Sequence, residues 1–180
     1  MAYNATKKDV SSMGAPPDAF LDELVAWGKT AAAEIFAPNS STDIYSNVYG
    51  KLGPWKKDPN HRRAVMLEVM RVLAGLESSW DWNHGPNGQH KTEAENEAGA
   101  WQVSADSMEF GQELKDLAKA RAGSLDAVDF QKFIKKDHTF AMEYIARLLR
   151  RTVDHNGPVR RHEIDRWLRK DAVEEFLSLL

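Results

Sequence analysis

The chain has 180 residues, no cysteine and a formal net charge of −3 at pH 7. The lack of cysteine excludes disulfides, thiolate nucleophiles and cysteine zinc sites, and the acidic balance argues against a nucleic-acid partner because phosphate binding needs a basic surface. The length predicts one domain with a substantial core, and no apolar run is long enough for a membrane span.

The N-terminal residues 1–15 are small and polar, so we predict a flexible tail there and a single domain over residues 16–180. The stretch carries charges but no apolar core, so it does not resemble a secretory signal.

The first predicted helix begins at Asp18, after two prolines, and ends at Pro38. Apolar side chains recur through it at helical spacing, from Phe20 to Phe36. Residues 39–57 show no period. We therefore predict a surface loop there, held by its aromatic residues Tyr45, Tyr49 and Trp55.

A nearly uniform apolar segment follows Asp58-Pro59, a pair typical of a helix start. Between residues 64 and 76 only Glu68, Arg71 and Gly75 interrupt the apolar residues. A helix that is apolar on most faces is usually surrounded by other helices. We predict that this is the central helix of the fold.

The second half is also expected to be helical. Residues 78–98 form a predicted polar loop, and a short β-hairpin fits within residues 83–103. The helix starts expected after it are Ser104, Asp126 and Asp137. The chain breaks at residues 155–158, then continues with a short helix around Ile164 and a last helix to Leu180. The predicted class is all-α, with about six to eight helices around the central one.

Glu77 stands at the end of the central helix, one turn beyond Leu73 and directly after Leu76. If the helix continues to this point, the carboxyl group lies on or beside the buried face. Poor solvation favours the neutral form and raises the pKa toward the range useful for general acid catalysis. A solvated residue at a helix end is the plainer interpretation.

Two short segments carry a family resemblance. Glu77-Ser78-Ser79 follows an apolar helix, and Gly-Ala-Trp-Gln-Val-Ser occupies residues 99–104. Together they resemble the lytic transglycosylase (SLT-type) branch of the lysozyme-like superfamily, in which a Glu-Ser dipeptide closes the catalytic helix and a Gly-x-x-Gln segment follows. The resemblance implies a lysozyme-like fold that cleaves the β-1,4 bond between MurNAc and GlcNAc in peptidoglycan. Glu77 would be the single general acid and base, and no cofactor would be needed.

The resemblance also implies substrate contacts. Ser78 matches the family's serine, and capping of the helix end is the equally open alternative for it. Gln102 would bind a sugar amide or hydroxyl, although a backbone carbonyl is its plainer partner. Trp101 is the candidate for stacking on a sugar, from a set in which we expect at most one to do so: Trp80, Trp82 and Trp101.

A late Tyr-Asn-x-Gly stretch of the family has its nearest counterpart at residues 155–157, which supplies Asn156 but no tyrosine. The family's tyrosine helps to hold the catalytic glutamate. Tyr144, one helix earlier, is the candidate replacement.

A second carboxylate would change the mechanism. The candidates in the loop after Glu77 are Asp81, Glu93, Glu95 and Glu97. If one of them held a water molecule, the protein would be a hydrolytic lysozyme, whereas the plainer interpretation is a solvated acidic stretch. The grouping of Asp81 and Asn83 with His84 and His90 lacks the offsets of a calcium or zinc motif, so we predict no metal.

A catalytically silent module that binds glycan or a partner protein is the remaining alternative. The expected partner is the glycan strand of peptidoglycan, outside the cytoplasm, and the expected state is a monomer. The sequence leaves the route to the wall open.

Overall fold

A computed structural model describes residues 3–86 and 92–180 and shows a mainly helical chain with one two-stranded antiparallel sheet. The sheet pairs β1 (Glu97–Ala98) with β2 (Val103–Ser104), with Ala98 opposite Val103. The α-helices are α1 Asp18–Thr30, α2 Ile44–Leu52, α3 Pro59–Ser78, α4 Gln112–Ala122, α5 Ala127–Lys136, α6 His138–Arg151, α7 Gly157–Arg160 and α8 Lys170–Leu179. The predicted helical class and short hairpin are confirmed.

Helix α3 is central, as predicted. The Asp58 carboxylate accepts a hydrogen bond from the Asn60 amide at 2.8 Å, and Pro59 fills the first turn. Nearly every side chain from Ala64 to Gly75 is buried, because α1, α6, α7 and α8 pack around the helix. The C-terminal end of α3, with Leu76 and Glu77, lies at the candidate site described below.

The two charged residues inside α3 form a buried ion pair. Both side chains are 0% exposed, and the Arg71 guanidinium donates to Glu68 through Nε at 2.7 Å and Nη2 at 2.8 Å. The Glu68 carboxylate also accepts from the Arg169 amide, and Arg71 Nη1 donates to the Lys8 carbonyl. Since every charge is paired, the helix can bury both residues.

Helix α1 ends at Thr30, so its predicted extension to Pro38 is wrong. Ala31 and Ala32 are extended, and a single turn of 3-10 helix follows at Ala33–Ile35. The Arg63 guanidinium of α3 donates to the carbonyl oxygens of Gly28 and Ala31. These carbonyls thereby find partners outside the helix, which local propensity could not indicate.

Helix α2 lies where the sequence predicted a loop. Asp43 and Ser46 form a capping box, in which Asp43 Oδ1 accepts from the Tyr45 and Ser46 amides and Ser46 Oγ accepts from the Asp43 amide. The ring of Trp55 meets Tyr45 and Tyr49 edge-on, with centroids 5.9 and 5.2 Å apart. The capping residues were visible in the sequence, but the short helix has little periodicity.

Within residues 3–15, where the sequence predicted a flexible tail, Tyr3, Thr6 and Val10 are buried against the helices, while most of the others are exposed or half-buried; Met1 and Ala2 lie outside the described residues. Thr6 is buried and donates to Glu175 Oε2 at 2.7 Å through its hydroxyl. The Tyr3 hydroxyl donates to Asp22 at 2.8 Å. Val10 is 0% exposed and belongs to the same hydrophobic core as the helices.

The later helix starts were predicted in part. Asp126 and Asp137 cap α5 and α6, as expected. Ser104 does not accept a capping hydrogen bond; it precedes a 3-10 helix, Ala105–Phe110, and α4 begins only at Gln112.

The expected break at residues 155–158 contains the start of α7, with its proline in the first turn, and the predicted short helix near Ile164 is a turn of 3-10 helix. Within residues 3–86 and 92–180, no helix has the length and apolar character to cross a bilayer.

Candidate active site

A polar cleft with a cavity volume of about 320 Å³ lies at the C-terminal end of α3. Its walls come from the end of α3, from β1, from the turn before β2 and from α7 with the segment after it. The lining residues are Leu76, Glu77, Glu97, Gln102, His155, Asn156, Gly157, Pro158, Arg161 and Glu163. Four of the predicted site residues, Glu77, Glu97, Gln102 and Asn156, therefore meet in one place.

The end of α3 is set by a left-handed turn. Ser79 and Trp80 have φ values of 56° and 62°, a conformation that reverses the chain directly after the helix. The Trp80 indole folds back onto Gly75, where a Cβ atom would lie 2.7 Å from the ring, and its N–H donates to the Arg71 carbonyl at 2.9 Å. The helix can therefore stop with Glu77 at the cleft.

Ser78 is buried and does not line the cleft, which corrects its predicted role in substrate binding. Its hydroxyl donates to the Ala100 carbonyl at 2.8 Å and accepts from the Asp81 amide at 3.1 Å. The serine therefore ties the end of α3 to the turn between the two strands.

Among the carboxyl groups of the cleft, Glu77 has the pKa that departs most from its usual value. Burial is the largest cause, and the negative charges of Glu97 and Glu163 add to it, so that the pKa rises to about 7. The positive charge of Arg161 and a hydrogen bond from Asn156 act in the opposite direction. The group is therefore largely protonated in mildly acidic solution and can exchange its proton near neutral pH.

Asn156 holds Glu77, and Tyr144 does not. The Asn156 side chain is buried, hydrogen-bonds the Glu77 carboxyl group and donates to the Trp101 carbonyl at 3.3 Å. Tyr144 is fully buried away from the cleft, and its hydroxyl hydrogen-bonds Ser107 at 2.8 Å. The proposed replacement of the family's tyrosine by Tyr144 is therefore wrong.

In the Gln102 side-chain amide, the nitrogen makes a hydrogen bond and the oxygen makes none among the described residues. The residue is 2% exposed, and its Nε2 donates to the Gly99 carbonyl at 3.0 Å. Its Oε1 is buried and accepts no hydrogen bond from the residues that the structure describes. A buried acceptor without a donor costs about 1–3 kcal/mol. The backbone partner expected as the plainer alternative is present, and an acceptor remains beside it in the cleft wall.

The tryptophans belong to the core, so the predicted stacking role of Trp101 is wrong. Trp101 is 1% exposed, its indole donates to the Met70 carbonyl at 2.9 Å, and its ring packs against Phe20. Trp82 stacks on His138 with centroids 3.9 Å apart. None of these rings lines the cleft.

The structure separates Glu97 from the other candidate carboxylates. Glu97 lies on β1 and lines the cleft, and its charge acts on Glu77. Asp81, Glu93 and Glu95 are exposed and outside the described lining, so the structure does not bring them together with Glu77 in this cleft. Asp81 accepts from the Asn83 amide, and Glu95 accepts from Thr92.

Arg161 and Glu163 were not predicted. The guanidinium donates to Glu163 through Nε at 2.7 Å and Nη2 at 3.2 Å, and this bond lowers the pKa of Glu163. A Cβ at Gly157 would lie 2.7 Å from Arg161 Nη1, a contact that a shift of the flexible guanidinium would relieve. The sequence does not indicate that this pair lies near Glu77, because that position depends on how α7 packs on α3.

A second polar cleft, of about 310 Å³, lies beside Arg147, Arg150 and Arg151. Each of these guanidinium groups is already paired with a carboxylate: Arg147 with Glu34 and Glu143, Arg150 with Asp43, and Arg151 with Glu113. The positive charges of this cleft are therefore already partly neutralised within the protein. Among the described residues no group of three or more metal-ligating side chains occurs, and His90 lies outside them.

The raised pKa of Glu77 has a consequence for stability. The unfolded chain ionises this group near pH 4.5 and the folded chain near pH 7, so folding becomes less favourable as the pH rises through this interval. At pH 8 we expect Glu77→Gln to increase the free energy of unfolding by about 2–3 kcal/mol, and at pH 4 to change it little. Urea unfolding at both pH values measures the difference. Glu93→Gln, which makes the same change on the exposed loop, should leave the free energy of unfolding at the wild-type value at both pH values. If Glu77→Gln lowered the free energy of unfolding equally at pH 4 and pH 8, the burial argument would be contradicted.

No protein-family model, curated protein sequence or solved structure matches this chain.

Proposed function

We propose that the protein is a lytic transglycosylase with a lysozyme-like fold that cleaves the β-1,4 bond between MurNAc and GlcNAc in peptidoglycan. The observation that carries the proposal is the Glu77 carboxyl group, which lines a cleft at a buried helix end with its pKa raised to about 7. The resemblance of Glu77-Ser78-Ser79 and of residues 99–104 to that family supports it. The protein acts as a monomer on wall glycan.

Glu77 serves both proton transfers. It donates its proton to the oxygen of the breaking glycosidic bond, and the acetamido oxygen of the muramoyl residue attacks the carbon that the leaving sugar vacates. The Glu77 carboxylate then takes the proton of the muramoyl 6-hydroxyl, whose oxygen displaces the acetamido group and closes a 1,6-anhydro ring. An acid with a pKa near 7 can act in both directions.

The second candidate is hydrolysis, and the position of Glu97 favours it. This carboxylate lines the same cleft and lies close enough to raise the pKa of Glu77. If it positioned a water molecule, the product would end in a reducing sugar. We favour the transglycosylase reaction because the Glu-Ser and Gly-x-x-Gln segments resemble that branch.

The masses of the products distinguish the two reactions. We expect muropeptides with anhydro ends, which are lighter by one water than hydrolysed ones. We also expect Glu97→Gln to retain the same products with only a modest loss of rate, because Glu77 alone carries the protons. Mass spectrometry of digested wall, with Glu93→Gln as the matched control, makes the test. Reducing ends from the wild type, together with a loss in Glu97→Gln as large as that in Glu77→Gln, would establish the hydrolase instead.

A further inference from the structure

Another cleft, far from Glu77, lies at the N-terminal end of α3. It has a cavity volume of about 290 Å³ and opens between the segment around Phe36 and the first turn of α3. Arg62, which lines it, precedes Glu77 by 15 residues of the same helix. At about 1.5 Å of rise per residue the two positions are about 20 Å apart along the axis. The two clefts are therefore separate sites.

Positive charge predominates in the lining of this cleft. Its charged residues are Lys56, Lys57, Asp58, Arg62 and Arg63. Lys56 is paired with a carboxylate, that of Glu174, at 2.6 Å. The other three cations have no carboxylate within ion-pair distance in the part of the chain that the structure describes. A local excess of positive charge thus lies on a chain whose net charge is −3.

Main-chain carbonyls hold the two arginines in place and leave some of their N–H groups open. Arg62 Nε donates to the Phe36 carbonyl at 2.7 Å. Arg63 Nη1 donates to the carbonyls of Gly28 and Ala31. Arg62 Nη1, Arg63 Nε and Arg63 Nη2 donate to no residue that the structure describes. Donors that are already positioned therefore remain for an acceptor from outside the protein.

Aromatic contacts do not cancel these charges. The guanidinium carbon of Arg62 lies 3.6 Å from the ring centroid of Tyr45, and that of Arg63 lies 4.3 Å from the ring centroid of Phe36. A ring face attracts a cation but carries no net charge. Burial lowers the pKa of both guanidinium groups, because part of their hydration is lost. A bound anion would compensate for this loss.

The nearby carboxylates are engaged elsewhere. Asp43 raises the pKa of Arg62, but its carboxylate is bonded to Arg150 at 2.6 Å, and the charge of Arg150 acts on Arg62 in the opposite direction. The Asp58 carboxylate accepts from the Asn60 amide at 2.8 Å and caps α3. The positive character of the cleft therefore comes from side chains and not from an uncapped helix end.

We propose that this cleft binds a single phosphate group, with Lys57, Arg62 and Arg63 as its ligands. Donors from three side chains around one cavity suit a tetrahedral anion, which presents oxygens in several directions, better than a planar carboxylate. A nucleic acid needs cations spread along a surface, whereas the unpaired cations here border one cleft. The phosphate is a free ion or part of an ester. This site does not depend on the reaction assigned to Glu77.

The test is an NMR titration of the ¹⁵N-labelled full chain with inorganic phosphate at low ionic strength. We expect saturable shifts of the amides of residues 36–38 and 56–63, with a Kd of about 1 mM or below. Acetate at the same ionic strength should bind at least about fivefold more weakly. Glycerol 1-phosphate, titrated in parallel, distinguishes an ester from a free ion, and saturable binding of either one supports the proposal.

Two variants and a matched control locate the binding energy. Lys57→Gln should raise the Kd about threefold, and its fold is safe because the side chain is exposed. Arg63→Gln should raise the Kd about tenfold. Lys119→Gln makes the same change of charge on α4, at an exposed position outside the cleft, and should keep the wild-type Kd. If Arg63→Gln does not fold, Lys57→Gln and the control decide the question.

The proposal is overturned if no saturable shift appears, or if acetate binds as tightly as phosphate. It is also overturned if Lys57→Gln keeps the wild-type Kd or if Lys119→Gln loses as much affinity, because phosphate would then respond only to the overall charge. A thymidine decanucleotide that binds about 100-fold more tightly than inorganic phosphate would identify a nucleic acid as the ligand and overturn the assignment to a single phosphate group. None of these outcomes bears on cleavage by Glu77.

Discussion

Glu77→Gln is expected to lower kcat/KM for wall cleavage by about 10²–10⁴-fold while the protein stays folded. Glutamine keeps the size of the side chain and can still pair with Asn156, but it cannot donate a proton to the leaving oxygen or accept one afterwards. Cleavage of soluble glycan strands by the purified variant measures the loss.

The control is Glu95→Gln, which makes the same chemical change at an exposed position outside the cleft. This variant should cleave at nearly the wild-type rate. In the wild type the rate should also fall as the pH rises above about 7, because Glu77 then starts without its proton. A Glu77→Gln variant that retains more than about a tenth of the activity would remove Glu77 as the catalytic acid.

Arg71→Met should be the most destabilising of the changes considered, at about 3–5 kcal/mol of unfolding free energy. Glu68 and Arg71 are both 0% exposed, and burial already raises the pKa of Glu68 despite the bond to Arg71. Without the guanidinium, the carboxyl group must be buried as an unpaired charge or take up a proton. Urea unfolding at pH 7 measures the loss.

A double variant separates the charge from the packing. Glu68→Gln combined with Arg71→Met removes both charges and keeps an acceptor for the Arg169 amide. It should recover a large part of the stability that the single variant loses. The single variant should also lose less stability at low pH, since Glu68 can then be neutral. A single variant within about 1 kcal/mol of the wild type would show that the pair is dispensable.

The sequence predicted those parts of the molecule whose cause is local. The apolar run of α3 indicated its central place, and the position of Glu77 at the end of that run indicated a poorly solvated carboxyl group, as the raised pKa bears out. The aspartates before α5 and α6 act as caps where the sequence placed them. In each case the residues that produce the feature are close to it in the sequence, within the same helix or directly before it.

Features that depend on distant contacts were missed. Thr6 and Glu175 are 169 residues apart in the chain, yet their bond fixes the segment that was expected to be loose. Ser78 and Trp101 lie outside the cleft lining and bond to the carbonyls of Ala100 and Met70, which are 22 and 31 residues away in the chain. The left-handed turn at Ser79 and Trp80 was also missed, because no residue there is the glycine that usually signals such a turn. Arg161 reaches Glu77 only through the packing of α7.

Three side-chain donors around the cleft end on main-chain carbonyls. Ser78 bonds to the carbonyl of Ala100, Asn156 to that of Trp101 and Gln102 to that of Gly99. A main-chain acceptor survives any substitution at its own position, whereas a side-chain donor does not. Mutational tolerance should therefore be uneven. The acceptor positions can change identity as far as packing and backbone conformation allow, which at Gly99, with a φ of 75°, is little, while each donor position admits few alternatives. Proteins that share the geometry of this wall can accordingly differ widely in the sequence that builds it.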